Sequence, residues 1–140
     1  MAAPFLKWAG GKGRIIDELV SRLPPMPNGG YDYFEPFIGG GALFFHLEKM
    51  GKIKSATLSD INPELVLCYK VIQDDVENLI SELERIDKKF PKRDFYRKNF
   101  FYRMREKWNT KICNNVNDIS KSEAAKRVAL TIFLNKTCFN

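Results

Sequence analysis

At 140 residues the chain is about the size of one domain, and 44% hydrophobic with 13% aromatic content is ample for a packed core, which excludes a disordered chain. The net charge of +6 is concentrated: Arg85 to Lys111 carries eleven Lys or Arg against three acids, a local +8 that leaves −2 for the remainder. No apolar run approaches the roughly 18 residues that span a bilayer, and Lys7, Lys12 and Arg14 interrupt the stretch that a signal peptide would need to keep apolar.

The chain opens on Pro4-Phe5-Leu6-Lys7-Trp8-Ala9-Gly10-Gly11-Lys12-Gly13, a glycine-rich loop with an aromatic side chain and two lysines. Apolar residues at helical spacing predict a helix from Arg14 to Leu23, stopped by Pro24-Pro25. Gly-Gly-Lys-Gly lacks the spacing and the Ser or Thr of a P-loop, which argues against a nucleoside triphosphatase. A lysine and free amides still suit a carboxylate. Tyr31 to Glu35 then reads as a strand, Gly39-Gly40-Gly41 as a turn, and Gly41 to Met50 as a helix closed by Gly51. Strand, glycine turn and helix together form a nucleotide-type crevice at the carboxyl end of a parallel strand, although on the glycines alone a plain loop is an equal reading. A second strand, Ser55 to Ser59, delivers Asp60 nineteen residues past Gly41. A carboxylate at that offset can accept both ribose hydroxyls of an adenosine-containing cofactor.

Asn62-Pro63-Glu64 supplies a cap, a proline at the first helical position and an acid in the first turn, so a helix is expected from there to about Ile72. Alternating strands and helices build a parallel sheet with crossovers. After Asp74-Asp75 the pattern becomes helical. Val76, Leu79, Ile80, Leu83 and Ile86 mark one amphipathic helix, and a basic aromatic helix is expected over Asp94 to Trp108. Asn109 to Ser120 reads as a loop, and Ser120 with Glu123 forms a capping box before a last, buried helix from Ala124 to about Leu134. The expected organisation is an α/β part over residues 1–73 and a basic helical part over 74–140. Basic residues interleaved with Phe95, Tyr96, Phe100, Phe101, Tyr102 and Trp108 suit a polyanion such as DNA or RNA; a solvated helix with its aromatics facing the core is the competing reading. Cys68, Cys113 and Cys138 lie far apart without a metal or redox spacing, so a soluble protein of the reducing cytoplasm is expected, with no metal site. Glu35 is a candidate cofactor contact or loop cap, and His46 a packing or surface residue rather than a base.

Four segments, in order, carry a family resemblance: Phe5-Leu6-Lys7-Trp8-Ala9-Gly10-Gly11-Lys12, then Phe34-Glu35-Pro36-Phe37-Ile38-Gly39-Gly40-Gly41, then Ser59-Asp60-Ile61-Asn62, and Leu134-Asn135-Lys136-Thr137-Cys138-Phe139-Asn140. With them the sequence resembles the amino-terminal part of a Dam-type (D12 class) DNA adenine-N6 methyltransferase. The resemblance implies a partial Rossmann-like methyltransferase fold with a helical DNA-recognition insert. It implies that Trp8 and Lys12 hold the methionyl end of S-adenosylmethionine, that Gly39 and Gly41 let the backbone approach it, and that Asp60 binds the ribose. It also implies that Lys7 faces double-stranded DNA near the target bases. Arg97, Lys98, Arg103 and Arg105, with Asn135, Lys136 and Asn140, would then belong to the region that grips and reads the duplex.

One departure stands out. The family's catalytic Asp-Pro-Pro-Tyr run is absent from these 140 residues, where the only adjacent prolines are Pro24-Pro25, and no catalytic residue is expected in them. The sequence therefore leaves three functions: an adenine-N6 methyltransferase or a fragment of one, serving restriction-modification or regulation; a non-catalytic S-adenosylmethionine and DNA-binding module; and a nicotinamide-dependent oxidoreductase. The last gives Trp8 and the first glycine loop no role. If half of a sheet is missing, exposed strand edges and apolar faces are expected to promote self-association.

Overall fold

The computed structural model describes residues 2–110 and 119–138. The architecture is helical with a small parallel sheet, and it divides into two compact units, Met1–Ile61 and Asn62–Asn140.

In the first unit a 3₁₀ turn over Lys12–Ile15 leads into α1 (Ile16–Ser21), shorter than the helix expected over residues 14–23. Gly13 weakens helical structure at the start, and Pro24 disfavours the helical conformation just before it. Strands β1 (Tyr31–Glu35) and β2 (Ile53–Leu58) pair in parallel from Asp32 opposite Ser55 to Glu35 opposite Leu58, joined through α2 (Ala42–Lys49). Gly41 enters α2 at φ 75°, a left-handed conformation that L side chains resist, and Gly51 ends it at φ 64° with its N–H donated to the Glu48 carbonyl at 2.9 Å. Leu6, Ile38 and Leu47 are buried here. Along β1 the period of two turns Tyr31, Tyr33 and Glu35 toward the interior and leaves Asp32 and Phe34 exposed. Phe34 keeps 71% of its surface and Ile61 90%.

The second unit holds α3 (Pro63–Asp74), α4 (Val76–Asp87), α5 (Asp94–Thr110) and α6 (Lys121–Thr137). The local signals act as expected. The Asn62 side chain accepts the Glu64 N–H at 3.0 Å, and Ser120 accepts the Glu123 N–H at 3.4 Å while its hydroxyl donates to the Glu123 carboxylate at 2.6 Å. Asn109 and Thr110 continue α5 rather than opening a loop, and residues 111–118, with Cys113, lie outside the described residues.

Helix α6 packs against α3, α4 and α5. Ala124, Ala125 and Ala129 are buried along it, small enough for close helix approach, and Val128 is fully enclosed. α3 packs on α6 and so belongs to the compact helical unit that begins at Asn62. Phe90, Phe100 and Phe133 meet edge to face with centroids 5.4–5.7 Å apart. Cys68 is buried, and burial first, then the Glu64 charge, pushes its thiol up to about 12; it packs rather than reacts.

Arg127 is the buried cation among the described residues of this unit, 6% exposed. Its Nε and second guanidinium nitrogen reach Glu64 Oε1 at 2.8 and 2.7 Å, another nitrogen donates to the Trp108 carbonyl at 2.9 Å, and the guanidinium lies 4.5 Å over the Trp108 ring. Three helices are thereby tied at one point. Removing one partner of such a pair leaves a charge without compensation, so Arg127→Ala is expected to lower the unfolding free energy by about 3 kcal/mol. Urea denaturation followed by circular dichroism measures it, and an unchanged midpoint would count against this role.

Candidate functional site

The first unit brings two glycine loops together at the carboxyl end of β1. In the first, Gly10 adopts φ 73° and the Gly11 N–H donates to the Trp8 carbonyl at 3.2 Å, a tight turn that leads the chain to Lys12. In the second, Gly39 adopts φ 51°, its N–H donates to Asp60 Oδ2 at 2.9 Å, and the Gly41 N–H donates to the Ile38 carbonyl at 2.9 Å. The loops are in close contact. A Cβ at Gly39 would stand 3.0 Å from the Trp8 ring, and one at Gly40 would stand 3.3 Å from the Leu6 carbonyl oxygen and from Trp8 Cβ. Glycine is required at 39 both for its backbone conformation and for the indole against it.

Between the loops lies a cavity of about 620 Å³, lined among others by Trp8, Gly11, Lys12, Phe37, Gly39 and Gly40. That volume falls within the usual range for small-molecule sites. The Lys12 ammonium is anchored there: Nζ contacts Glu35 Oε1 at 2.6 Å and the Phe37 carbonyl at 2.8 Å. Glu35 is 5% exposed, and its second oxygen accepts the Tyr33 hydroxyl at 2.7 Å. Burial raises the Tyr33 phenol well above its ordinary value, and the hydrogen bond to Glu35 and that carboxylate's charge raise it further, so the hydroxyl remains a donor.

Trp8, Lys12 and Gly39 line one cavity, and Gly41 and Asp60 are not among its lining residues. Gly41 starts α2, and Asp60 braces the glycine turn through the Gly39 amide. Lys7 is exposed on the first loop. The pairing of Lys12 with Glu35, and the hydroxyl of Tyr33 behind it, are not deduced from the sequence. The available signal was the alternation in β1, which places residues 33 and 35 on one face.

In the helical unit the basic segment serves two purposes. Arg97 is tied to the Pro91 carbonyl at 3.0 Å and Asp94 at 2.8 Å and lies 5.3 Å over Phe90. Arg103 lies over Phe100, and Arg105 over Tyr102. Phe100 and Met104 are buried while Phe95, Tyr96 and Tyr102 are exposed, so the aromatics divide between core and solvent. Helical spacing puts Lys98 and Arg105 on one flank of α5 and Arg103 and Lys107 on the other. Lys136 is exposed and Asn135 half-buried near the end of α6; Asn140 lies outside the described residues. No helix among the described residues is long and apolar enough to cross a membrane.

The profile of the D12 class N6 adenine-specific DNA methyltransferase family matches residues 8–140. The chain belongs to this family. It is 45% identical to the type II methyltransferase M.MjaIII of Methanocaldococcus jannaschii, over 98% of this chain and 46% of that protein. It is 30% identical to a DNA adenine methylase of Haemophilus influenzae, over 98% of this chain and 41% of that one. Against a DNA N-6-adenine-methyltransferase of Escherichia phage P1 the identity is 28%, covering 97% of this chain and 15% of the relative. The chain thus spans less than half the length of each. These D12 and methyltransferase names do not favour the non-catalytic or the nicotinamide-dependent reading.

Proposed function

We propose that this chain supplies the S-adenosylmethionine-binding loops and a DNA-contacting helical part of a site-specific adenine-N6 methyltransferase of the cytoplasm, on a Rossmann-like scaffold. The observation that carries this reading is the Lys12-bearing cavity between two glycine loops in a chain of the D12 class. The residues present fit the cofactor: a lysine for a carboxylate, glycines for close backbone approach, an indole for an apolar face, and a carboxylate for a diol. S-adenosylmethionine carries its methyl on a sulfonium, an electrophile suited to the exocyclic amine of adenine.

On this reading the Lys12 ammonium donates to the methionyl carboxylate, and Trp8 with Gly39 and Gly40 forms the wall against which the cofactor rests. Gly41 starts the helix that follows this backbone. Asp60 braces Gly39 and also accepts from the ribose, because a carboxylate offers about four acceptor positions. Lys7 faces the duplex from the first loop. Lys98, Arg103, Arg105 and Lys136 hold backbone phosphates in the helical unit, with Arg97 and Asn135 supporting that surface. The Asp-Pro-Pro-Tyr run is not in these 140 residues, so the groups that would orient the adenine amine are not among those described.

Titration calorimetry of the chain with S-adenosylmethionine is expected to show binding that Lys12→Ala weakens by about 10–100-fold, the worth of a hydrogen bond to a charged group. Asp60→Ala is expected to weaken it as well; a folded wild-type chain that takes up no cofactor would sink the reading. For DNA, replacing both Lys98 and Arg105 by alanine is expected to lower the slope of log K against log salt by about 2, one for each phosphate contact. An unchanged slope removes these residues from the interface. The outer edges of β1 and β2 carry no strand partner among the described residues, and Phe34 and Phe37 are exposed, which supports self-association through this sheet. Sedimentation equilibrium is expected to show association rising with concentration, and a strict monomer throughout argues against it.

A further inference from the structure

The Lys12 side chain is fixed from behind. An ammonium has three donors, and here two have partners within the loop structure, Glu35 Oε1 at 2.6 Å and the Phe37 carbonyl at 2.8 Å, so one N–H is left for the cavity that Lys12 lines. Glu35 cannot turn away easily. It is the last residue of β1, 5% exposed, and its other oxygen accepts the Tyr33 hydroxyl at 2.7 Å. Tyr33 lies two residues earlier on the same strand face, with its ring 6.4 Å from that of Phe44 in α2. A continuous line of contacts therefore runs from α2 through Tyr33 and Glu35 to the lysine at the cavity.

From this geometry we propose that Tyr33 and Glu35 are positioning residues, which hold the Lys12 ammonium so that its single remaining N–H meets a ligand carboxylate. The inference rests on the cofactor reading above and extends it to two residues that do not line the cavity. A lysine stem is flexible, and a free one loses that freedom on gripping a ligand. Here the side chain is ordered beforehand, which lowers the entropy lost on binding. Glu35 also offsets the charge of Lys12, so the attraction to a carboxylate depends on direction more than on net charge.

The test compares two probes on the 140-residue chain by titration calorimetry: S-adenosylmethionine and its decarboxylated analogue, which lacks only the carboxylate. Tyr33→Phe removes one hydroxyl and retains the ring; it is expected to weaken S-adenosylmethionine by about fivefold, within the range of an ordinary hydrogen bond, and Glu35→Gln by tenfold or more, toward the range for hydrogen bonds to charged groups. Affinity for the decarboxylated analogue should stay within about twofold in both variants, since the positioned N–H has no carboxylate to meet. Equal weakening of the two probes means a merely structural role and overturns the proposal, as does unchanged discrimination by Tyr33→Phe, which preserves the test if Glu35→Gln fails to fold. A wild-type chain that is folded but binds neither probe defeats the cofactor reading itself, a result distinct from binding with no change in discrimination.

Discussion

A carboxylate buried at the end of a strand must find compensating charge and hydrogen bonds, because its desolvation costs far more than any exposed contact returns. Glu35 meets that requirement with Lys12 and Tyr33, and the arrangement of the first unit follows from it. The first glycine loop must come to the carboxyl end of β1 to deliver its lysine. The second must pass close beside it, since the same lysine also bonds the Phe37 carbonyl. Glycine at 39 and 40 is then a steric condition, for the Trp8 side chain occupies the space a larger residue would need. Asp60 completes the frame by holding the Gly39 amide from the end of the neighbouring strand.

The helical unit solves a parallel problem with the signs reversed. There the buried group is a guanidinium, and Arg127 satisfies its planar donors with Glu64, the Trp108 carbonyl and the Trp108 ring. The indole N–H in turn donates to Thr131 at 2.8 Å. Such networks fix one arrangement among several that apolar packing alone would tolerate. Around this point the aromatic cluster of Phe90, Phe100 and Phe133 supplies apolar burial without direction, while Arg127 sets which residues of α3, α5 and α6 face each other.

The elements specified by local chemistry were legible in the sequence. Tyr31 to Glu35 appears as a strand with the expected bounds, and Asn62 and Ser120 cap their helices through the side-chain contacts their positions imply. Gly39 and Gly41 both take positive φ, as a turn into a helix requires. What escaped depends on residues distant in sequence. Lys12 and Glu35 lie 23 residues apart, and Arg127 and Glu64 lie 63 apart, so neither pair leaves a periodic or adjacent signal. Arg127 looks like one more cation of a polar helix until its burial is known. The basic segment was ambiguous for a related reason: charge composition does not tell which aromatic rings turn inward, and α5 divides them between the two environments.

The matched charge at Lys12 has a consequence for selectivity. A glycine loop whose lysine had no internal partner would be attractive to any small anion, including the nucleotides and inorganic phosphate that crowd a cell. Here the buried carboxylate 2.6 Å away cancels most of that attraction at longer range and leaves a contact that rewards a correctly placed oxygen. On the proposed cofactor reading, a ligand oxygen placed at the remaining N–H of Lys12 gains a charge-assisted bond.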